Sequence, residues 1–462
     1  MSIDQEQLQK QVSEGAQALE VPGVSVGVSH AGEEQYAYFG VTSVENPVPV
    51  DENTLFQFGS TGKTYTATAM LRLVDQGLVD LAAPVRTYLP ELKLKDEETA
   101  KNVTVLHLFN HTAGWAGDVF ENTGDGDDAL ARYVEGMAKI DQVTPLGSTV
   151  SYNNAALCLA GRVLEKVTGK TYEQAVRELV FEPLGLKQSF FFPNEIMTRR
   201  FAVGHEQHPD GRIAVTRPWA MARSGSPAGG ISSNSKDLIT WARFHLGDGT
   251  ARDGSRVLPE SLLKKMQEPT VEMKGSAIGD YVGISWLLRD VEGVRLVGHG
   301  GDTIGQHSQF VMVPERDFAI SVMTNCGPNG STFMEELVKW ALEAYAGVVE
   351  RDPVPIDADD ATIAQYTGRY ETAAVWADIT AAKGRLLVKV EIKPETLKQL
   401  YDAGTEVPEQ PPIPLGLLEG TGDRYVVSDG PGKGMRGYFV RNAAGEIEAV
   451  HVGGRLATRT ST

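Results

Sequence analysis

Ser60 and Lys63 are the residues of this sequence whose types and spacing most directly suggest chemistry. They stand three positions apart in the stretch FGSTGKT at 58–64, and helical patterning begins just after Ser60. Residues three apart lie on one face of a helix, so the Lys63 amine can reach the Ser60 hydroxyl. Free N–H groups at a helix start can stabilise a developing oxyanion. The spacing is therefore compatible with a nucleophilic serine and a lysine base, which must be neutral and hence buried or beside a cation.

Two other interpretations of the same stretch stay open at this point. In the first, Ser60 caps a helix and Lys63 is a solvated lysine, since Ser-x-x-Lys is frequent by chance. In the second, Gly62-Lys63-Thr64 belongs to a phosphate-binding loop. That motif requires a glycine five positions before Gly62, and position 57 is Gln.

Two further groups of residues could complete a serine site. The first is Tyr152 with Asn154: a tyrosine relays protons when a cation lowers its pKa, and an asparagine amide can bind a substrate amide. The second is His299, followed by Gly300 and Gly301 at the end of a strand pattern. Glycines there let a substrate approach the backbone closely. Each group is weak alone, because a lone histidine is more often structural than catalytic.

The elements that must position these residues follow from hydrophobic periodicity. The pattern predicts helices over 3–19, from just after Ser60 to Asp75, and over 331–345. It predicts strands at 24–28, 35–41, 281–289, 294–298, 309–313 and 318–324. A mainly helical block spans about 80–250. If the first and last strands share one sheet, the fold is α+β or α/β, with helices covering the sheet.

The chain changes character after about residue 350. The Pro- and Asp-rich stretch 351–361 has no periodicity and is interpreted as a linker between domains 1–350 and 362–462. Short strand-like runs then recur between turn signals, which predicts a small all-β barrel or sandwich. The proline cluster at 408–414 is interpreted as a long loop.

Composition excludes several classes of function. The 462 residues include 43 Lys and Arg against 61 Asp and Glu, a net charge of −18, which disfavours nucleic acid and anionic membranes as partners. Cys158 and Cys326 are too few for a disulfide scaffold or a cysteine-rich metal site. Neither a signal-type start nor a membrane-length apolar run is evident, so we expect a cytoplasmic protein that does not bind membranes.

Taken in order, the three groups of residues resemble the serine β-lactamase and penicillin-binding-protein superfamily. The order is Ser60-Thr61-Gly62-Lys63, then Tyr152-Asn153-Asn154, then His299-Gly300-Gly301. Over about residues 5–346 the chain is most similar to the class C β-lactamase-like branch, which includes D-aminopeptidases, D,D-carboxypeptidases and esterases. Framework segments that agree with that branch are FQFGS at 56–60, TVLHLFNHTAG at 104–114, PLGL at 183–186 and PAGGISS at 227–233. The C-terminal part is similar to the lipocalin-like barrel of some members.

The resemblance implies a fold and a set of roles. The fold is an antiparallel sheet flanked by helices, with a helical domain. Ser60 attacks a carbonyl and forms an acyl-enzyme, Lys63 takes its proton alone or shared with Tyr152, and Tyr152 protonates the leaving group and helps activate water. Asn154 orients the substrate and Lys63. The backbone N–H groups of Ser60 and of Asp302, which follows Gly300 and Gly301, form the oxyanion hole.

One departure from the family pattern bears on the substrate. β-Lactamases and most carboxypeptidases of the superfamily carry a lysine where this chain has His299. A histidine with an ordinary pKa near 6.5 is largely neutral at pH 7 and offers no permanent charge to a substrate carboxylate. If the neutral form of His299 is required, activity should fall below about pH 6–6.5.

These observations lead to one preferred function. We expect a serine hydrolase acting on peptide or amide bonds of small molecules or short peptides, D-aminopeptidase-like. The alternatives are a carboxylesterase of the same family, a β-lactamase or D,D-carboxypeptidase, and a non-catalytic binding protein. We expect neither a cofactor nor a metal, although His107 and His111 stand at a spacing that can bind zinc. A homo-oligomer is left open.

Overall fold

A computed structural model of the chain describes residues 4–208, 210–382, 384–397, 411–420, 423–430 and 432–460. These residues form two compact units. The first comprises the chain up to Gly147, then Asn153–Thr270 and Val282–Glu350. The second comprises Ser148–Tyr152, Val271–Tyr281 and the chain from Arg351 onward. The predicted division into 1–350, 351–361 and 362–462 stays a prediction.

The helices are α1 Gln5–Ala18, α2 Gly62–Asp75, α3 Glu97–Asn102, α4 Val105–Phe109, α5 Ala129–Gly136, α6 Asn154–Thr168, α7 Tyr172–Val176, α8 Glu182–Leu184, α9 Pro193–Ile196, α10 Ser226–Gly229, α11 Ser235–Leu246, α12 Glu260–Met266, α13 Asn329–Ala341 and α14 Asp360–Ala364.

The strands of residues 1–350 are β1 Gly23–His30, β2 Glu33–Gly40, β3 Phe56–Gln57, β4 His205–Gln207, β5 Ile213–Val215, β6 Ser232–Ser233, β7 Val271–Ser276, β8 Gly279–Val282, β9 Leu287–Val291, β10 Val294–Asp302, β11 His307–Val313, β12 Phe318–Thr324 and β13 Cys326–Gly327. Those that follow are β14 Gly368–Glu371, β15 Val375–Ala382, β16 Arg385–Ile392, β17 Ile413–Leu417, β18 Arg424–Val427, β19 Arg436–Arg441, β20 Ile447–Val452 and β21 Arg455–Arg459.

An antiparallel sheet lies at the centre of the first unit, with strands in the order β2-β1-β12-β11-β10-β9. Early and late parts of the chain meet in it, because Val24 of β1 pairs with Thr324 of β12. Apolar side chains of α1 and α13, including Leu8 and Phe333, share one buried cluster with the sheet. On β1, Gly27 lets Ile239 of α11 approach so closely that an added Cβ would lie 2.6 Å from it. The predicted antiparallel sheet flanked by helices is confirmed.

The predicted strand over 281–289 is wrong in its middle. The structure has two strands there, β8 and β9, separated by residues 283–286. The Gly283 N–H donates to the Trp286 carbonyl at 2.8 Å, which closes a turn, and Ser285 adopts a left-handed φ of 60°. The apolar run continues through this turn because Ile284 and Trp286 are buried. In this segment the apolar run indicates that the residues are buried. It does not indicate that they form one unbroken strand.

The second unit contains a closed barrel of strands β14 to β21 in sequence order. Its core includes Tyr370, Leu386, Phe439 and Val450. The predicted small all-β barrel is confirmed, whereas its likeness to lipocalins stays a prediction.

The proline cluster at 408–414 is only partly described, because positions 408–410 lie outside the described residues. Its last two residues are not a loop: Ile413 and Pro414 begin β17. Proline cannot donate to a strand ladder, but the Pro414 carbonyl accepts a hydrogen bond from Ser428 at 2.9 Å. Among the described residues, no helix has both the length and the apolar character needed to cross a membrane.

Candidate active site

Ser60 lies on a 3-10 turn, Gly59–Thr61, directly before α2. Gly59 adopts a left-handed φ of 56°, and a Cβ at this position would lie 2.7 Å from the backbone nitrogen of Asp302. Glycine is therefore required here for two reasons, the backbone conformation and the close approach of β10. Thr61, and not Ser60, is the N-cap residue of α2, and it makes no side-chain cap. The helix-cap interpretation of Ser60 is wrong.

Lys63 is fully buried on the first turn of α2. Its Nζ donates hydrogen bonds to the Ser60 Oγ at 2.8 Å and to the Ala228 carbonyl at 2.6 Å. The solvated-lysine interpretation is therefore wrong. A buried amine within hydrogen-bond distance of a serine hydroxyl is the arrangement that a lysine base requires.

The Ala228 carbonyl is a partner of Lys63 that the sequence analysis missed. It belongs to α10, which is fixed against α2 because the Thr66 hydroxyl donates to the Pro227 carbonyl at 2.8 Å. A Cβ on Gly229 would lie 3.0 Å from the backbone of Gly59. The run of small residues in PAGG at 227–230 is the signal for this close packing, although it does not say which carbonyl faces the lysine.

The backbone of β10 lies directly against the turn that carries Ser60. A Cβ on Gly301 would lie 2.0 Å from the Phe58 carbonyl oxygen and 2.7 Å from the Ser60 nitrogen. The Thr61 hydroxyl donates to the His299 carbonyl of β10 at 3.0 Å, and the Ser308 hydroxyl of the neighbouring strand β11 donates to the Phe58 carbonyl at 2.7 Å. The predicted residues Gly300, Gly301 and Asp302 thus lie beside the Ser60 turn.

His299 is buried, with 4% of its surface exposed. Burial, followed by the positive charge of Lys63, lowers the pKa of His299 to about 3. The ring lies within hydrogen-bond distance of the Gly300 carbonyl through Nδ1. The ordinary pKa near 6.5 assumed from the sequence is therefore wrong for this residue. His299 is neutral throughout the range in which a free histidine titrates.

A pH experiment follows from the low pKa of His299. We expect His299→Asn to change kcat/KM by the same factor at pH 5 and at pH 7, because the wild-type ring keeps one protonation state between them. The measurement is kcat/KM of wild type and variant on one ester across pH 5–8. Dividing the wild-type kcat/KM by the variant kcat/KM at each pH cancels the effect of groups that titrate in both proteins. If this ratio of kcat/KM values decreases as the pH is lowered past 6.5, the low pKa of His299 is contradicted.

Asp302 presents two different groups. Its backbone nitrogen faces the Gly59 position, as described, whereas its carboxylate is largely exposed and pairs with His307 Nδ1 at 2.6 Å. His307 is directly opposite Asp302 on the neighbouring strand β11. This hydrogen bond links the ends of β10 and β11, and a role for the Asp302 N–H in an oxyanion hole stays a prediction.

Asn154 begins α6, which Asn153 caps by accepting the Ala156 N–H at 2.8 Å. The Asn154 amide donates to the Asp118 carboxylate at 2.8 Å. Cys158 follows one turn later on the same helix face. Burial raises the pKa of the Cys158 thiol to about 12, and the positive charge of Lys63 opposes that shift. The electrostatic influence of Lys63 therefore extends to this face of α6.

Tyr152 precedes Asn153 in the chain but belongs to the second unit, with segment Ser148–Tyr152. Its side chain is buried, with 6% exposed. Its place in catalysis with Ser60 and Lys63 stays a prediction.

A cavity of about 390 Å³ lies in the first unit near α10. Aromatic and apolar side chains form much of its lining, including Phe191, Trp219 and Met221, and Gly229 and Gly230 form another part. Because Gly229 packs against Gly59, this cavity lies close to the turn that carries Ser60. No sequence pattern indicated this cavity.

His107 and His111 have local partners. His107 Nδ1 lies 3.0 Å from the Thr104 nitrogen, and His111 Nδ1 accepts the Asn153 N–H at 3.2 Å. Within the part of the chain that the structure describes, no group of three His, Cys, Asp or Glu side chains is placed to hold a metal ion.

Comparison with known proteins defines the family. The family model described as Beta-lactamase matches residues 8–344. Penicillin-binding protein 4 of Amycolatopsis lactamdurans is 35% identical over 363 residues, which cover 76% of this chain and 93% of that protein. A β-lactamase of Providencia stuartii is 30% identical over 228 residues, 49% of this chain and 56% of that protein. The solved structure of SurE with D-Leu superimposes with a TM-score of 0.77 at 25% identity, covering 99% of both chains.

The chain therefore belongs to the β-lactamase family, the serine hydrolases that include class C β-lactamases and penicillin-binding proteins. The resemblance drawn from the three groups of residues is confirmed.

Proposed function

We propose that this protein hydrolyses peptide or amide bonds through an acyl-enzyme on Ser60, with a D-aminopeptidase-like preference. The observation that carries the proposal is the hydrogen bond of 2.8 Å from the buried Lys63 Nζ to the Ser60 Oγ. It lies where the backbone of Gly301 and Asp302 contacts the Ser60 turn.

The proposed reaction has two halves. In the first, Ser60 Oγ attacks the substrate carbonyl while Lys63 accepts its proton, and the N–H groups of Ser60 and Asp302 bind the oxyanion. The C–N bond then breaks, and Tyr152 delivers a proton to the departing amine. In the second half, Tyr152 helps activate a water that attacks the ester, which releases the acid and restores Ser60. Asn154 orients the substrate amide.

Two observations bear on the substrate. The neutral His299 supplies no fixed positive charge where related enzymes have a lysine, which disfavours substrates recognised through a carboxylate, such as penicillins and C-terminal D-Ala-D-Ala peptides. The SurE structure similar to this chain was solved with D-Leu, which supports a D-residue in the substrate here.

A carboxylesterase is the second candidate function. The cavity bordered by Phe191, Trp219 and Met221 supports it, because apolar walls suit an apolar acyl chain. An ester also has a better leaving group than an amide and needs less help from Tyr152.

The test is a kinetic panel run with wild type and with Ser60→Ala. The panel contains a D-alanine p-nitroanilide and its L form, p-nitrophenyl butyrate, nitrocefin and a D-Ala-D-Ala peptide. We expect turnover of the D-anilide that disappears in Ser60→Ala. Turnover of the activated ester alone favours the esterase, and turnover of nitrocefin or of the peptide favours a β-lactamase or D,D-carboxypeptidase. Undiminished hydrolysis by Ser60→Ala would refute the proposal. Failure of Ser60 to react with any fluorophosphonate or β-lactam probe would favour a binding protein.

A further inference from the structure

The hairpin between β20 and β21 is connected by the two residues Gly453-Gly454. Both residues have a positive φ, 54° and 83°. A two-residue hairpin turn with positive φ at both positions matches the right-handed twist of its strands, and glycine adopts it without strain. The turn places Arg455 at the start of β21, opposite Val452.

This hairpin holds the segment that carries Tyr152. The Tyr152 N–H donates to the Gly454 carbonyl at 2.8 Å. The Leu456 N–H donates to the Ser151 hydroxyl at 3.3 Å. All of these residues belong to the second unit. Two backbone groups of the hairpin therefore fix Ser151 and Tyr152 from one side.

Arg455 completes the arrangement with its side chain. The guanidinium carbon lies 4.9 Å from the centre of the Tyr152 ring, a cation–π distance. Its Nη1 donates to the Gly453 carbonyl at 3.0 Å, so the hairpin itself holds the guanidinium in place. The Tyr152 ring is thus held both through its backbone and against a fixed cation.

We propose that Arg455 is a positioning residue for the proton relay through Tyr152. The inference rests on the proposed function, in which Tyr152 transfers protons. A guanidinium above the ring limits its rotation, so the phenolic oxygen spends more time in one orientation. The same charge stabilises the ring most when the phenol releases its proton. Arg455 acts through Tyr152 and does not contact the reacting atoms.

The proposal predicts a graded series of variants. Arg455→Met keeps much of the side-chain volume and loses the cation, so we expect kcat to fall about tenfold with little change in KM. Arg455→Lys keeps a positive charge and should recover most of the loss. The matched control is Arg369→Met, because Arg369 lies 5.5 Å from the ring of Trp376 elsewhere in the barrel. The control should keep the wild-type kcat.

The deciding experiment is a double-mutant cycle with Tyr152→Phe. The readouts are kcat and KM for p-nitrophenyl butyrate and the melting temperature. After a burst of nitrophenol, kcat for this ester reports the water step that Tyr152 assists. If Arg455 acts through the Tyr152 hydroxyl, Arg455→Met lowers kcat in wild type but has no further effect in Tyr152→Phe. A merely structural role would lower the melting temperature and would not be restored by lysine.

Several outcomes would overturn the inference. One is a wild-type kcat in Arg455→Met, and another is a wild-type kcat in Tyr152→Phe. A third is a rise in KM with effects that multiply in the double mutant, which would show direct contact between Arg455 and the substrate. Failure of the proposed function is seen separately, as activity that persists in Ser60→Ala.

Discussion

Replacing Lys63 with methionine is expected to slow acylation of Ser60 by about 10²- to 10⁴-fold, the usual contribution of a positioned general base. The Lys63 Nζ is 2.8 Å from the Ser60 Oγ, and its side chain is fully buried. Bulk water therefore does not readily replace it. The methionine side chain has a similar length and suits an apolar site, which limits the change to the loss of the amine.

The rate of labelling of Ser60 by a fluorophosphonate probe measures this effect, with the melting temperature as a check on folding. Lys63→Arg is the matched variant, because it keeps a positive charge but cannot act as a base near neutral pH. We expect both variants to label slowly, and their rates to rise with hydroxide concentration as hydroxide takes over as the base. Labelling of Lys63→Met at the wild-type rate would remove Lys63 from the mechanism.

The second large effect is expected from Gly301→Ala. The added Cβ would lie 2.0 Å from the Phe58 carbonyl oxygen and 2.7 Å from the Ser60 nitrogen. Both are backbone atoms, which cannot rotate away as a side chain would, so β10 must move from the Ser60 turn. This movement separates the N–H groups of Ser60 and Asp302. Losing one oxyanion donor typically lowers kcat by about 10²–10³.

Gly225→Ala is the control for this experiment, because it makes the same change at a glycine outside the candidate site. A Cβ added to Gly225 would meet no atom within 4 Å, so the backbone does not need to move. The measurement is kcat per active site, with sites counted by the burst, so that any loss of folded protein does not enter the comparison. A wild-type kcat in Gly301→Ala, or an equal loss in both variants, would contradict the proposed oxyanion site.

Sequence patterns predicted contacts within the candidate site best where those contacts depend on local spacing. Ser60 and Lys63 lie within one helical turn, so their contact follows from helix geometry. The Ala228 carbonyl did not follow, because any residue type has a carbonyl and this one is 165 residues from Lys63. The pKa of His299 likewise depends on burial, which is a property of the assembled fold.

The fold was predicted where periodicity was regular, and the errors have local causes. The central strands β1 and β12 were predicted from short runs of Val and Ile. The apolar pattern over 281–289 predicted one strand instead of two. It runs through the turn because Ile284 and Trp286 of the turn are themselves buried. The strand β17 was missed because Pro414 suggested a loop, although its carbonyl pairs with Ser428.

The contact between the glycine hairpin and the Tyr152 segment has a consequence for biosynthesis. Leu456 and Ser151, joined by a hydrogen bond, are 305 positions apart. At about 5–20 residues per second, a ribosome makes Ser151 roughly 15–60 seconds before Leu456. A nascent chain therefore carries Ser60, Lys63 and Tyr152 for much of its synthesis without the hairpin that fixes the tyrosine. If the positioning proposed for Arg455 is correct, full activity begins only after residues 454–456 have left the ribosome.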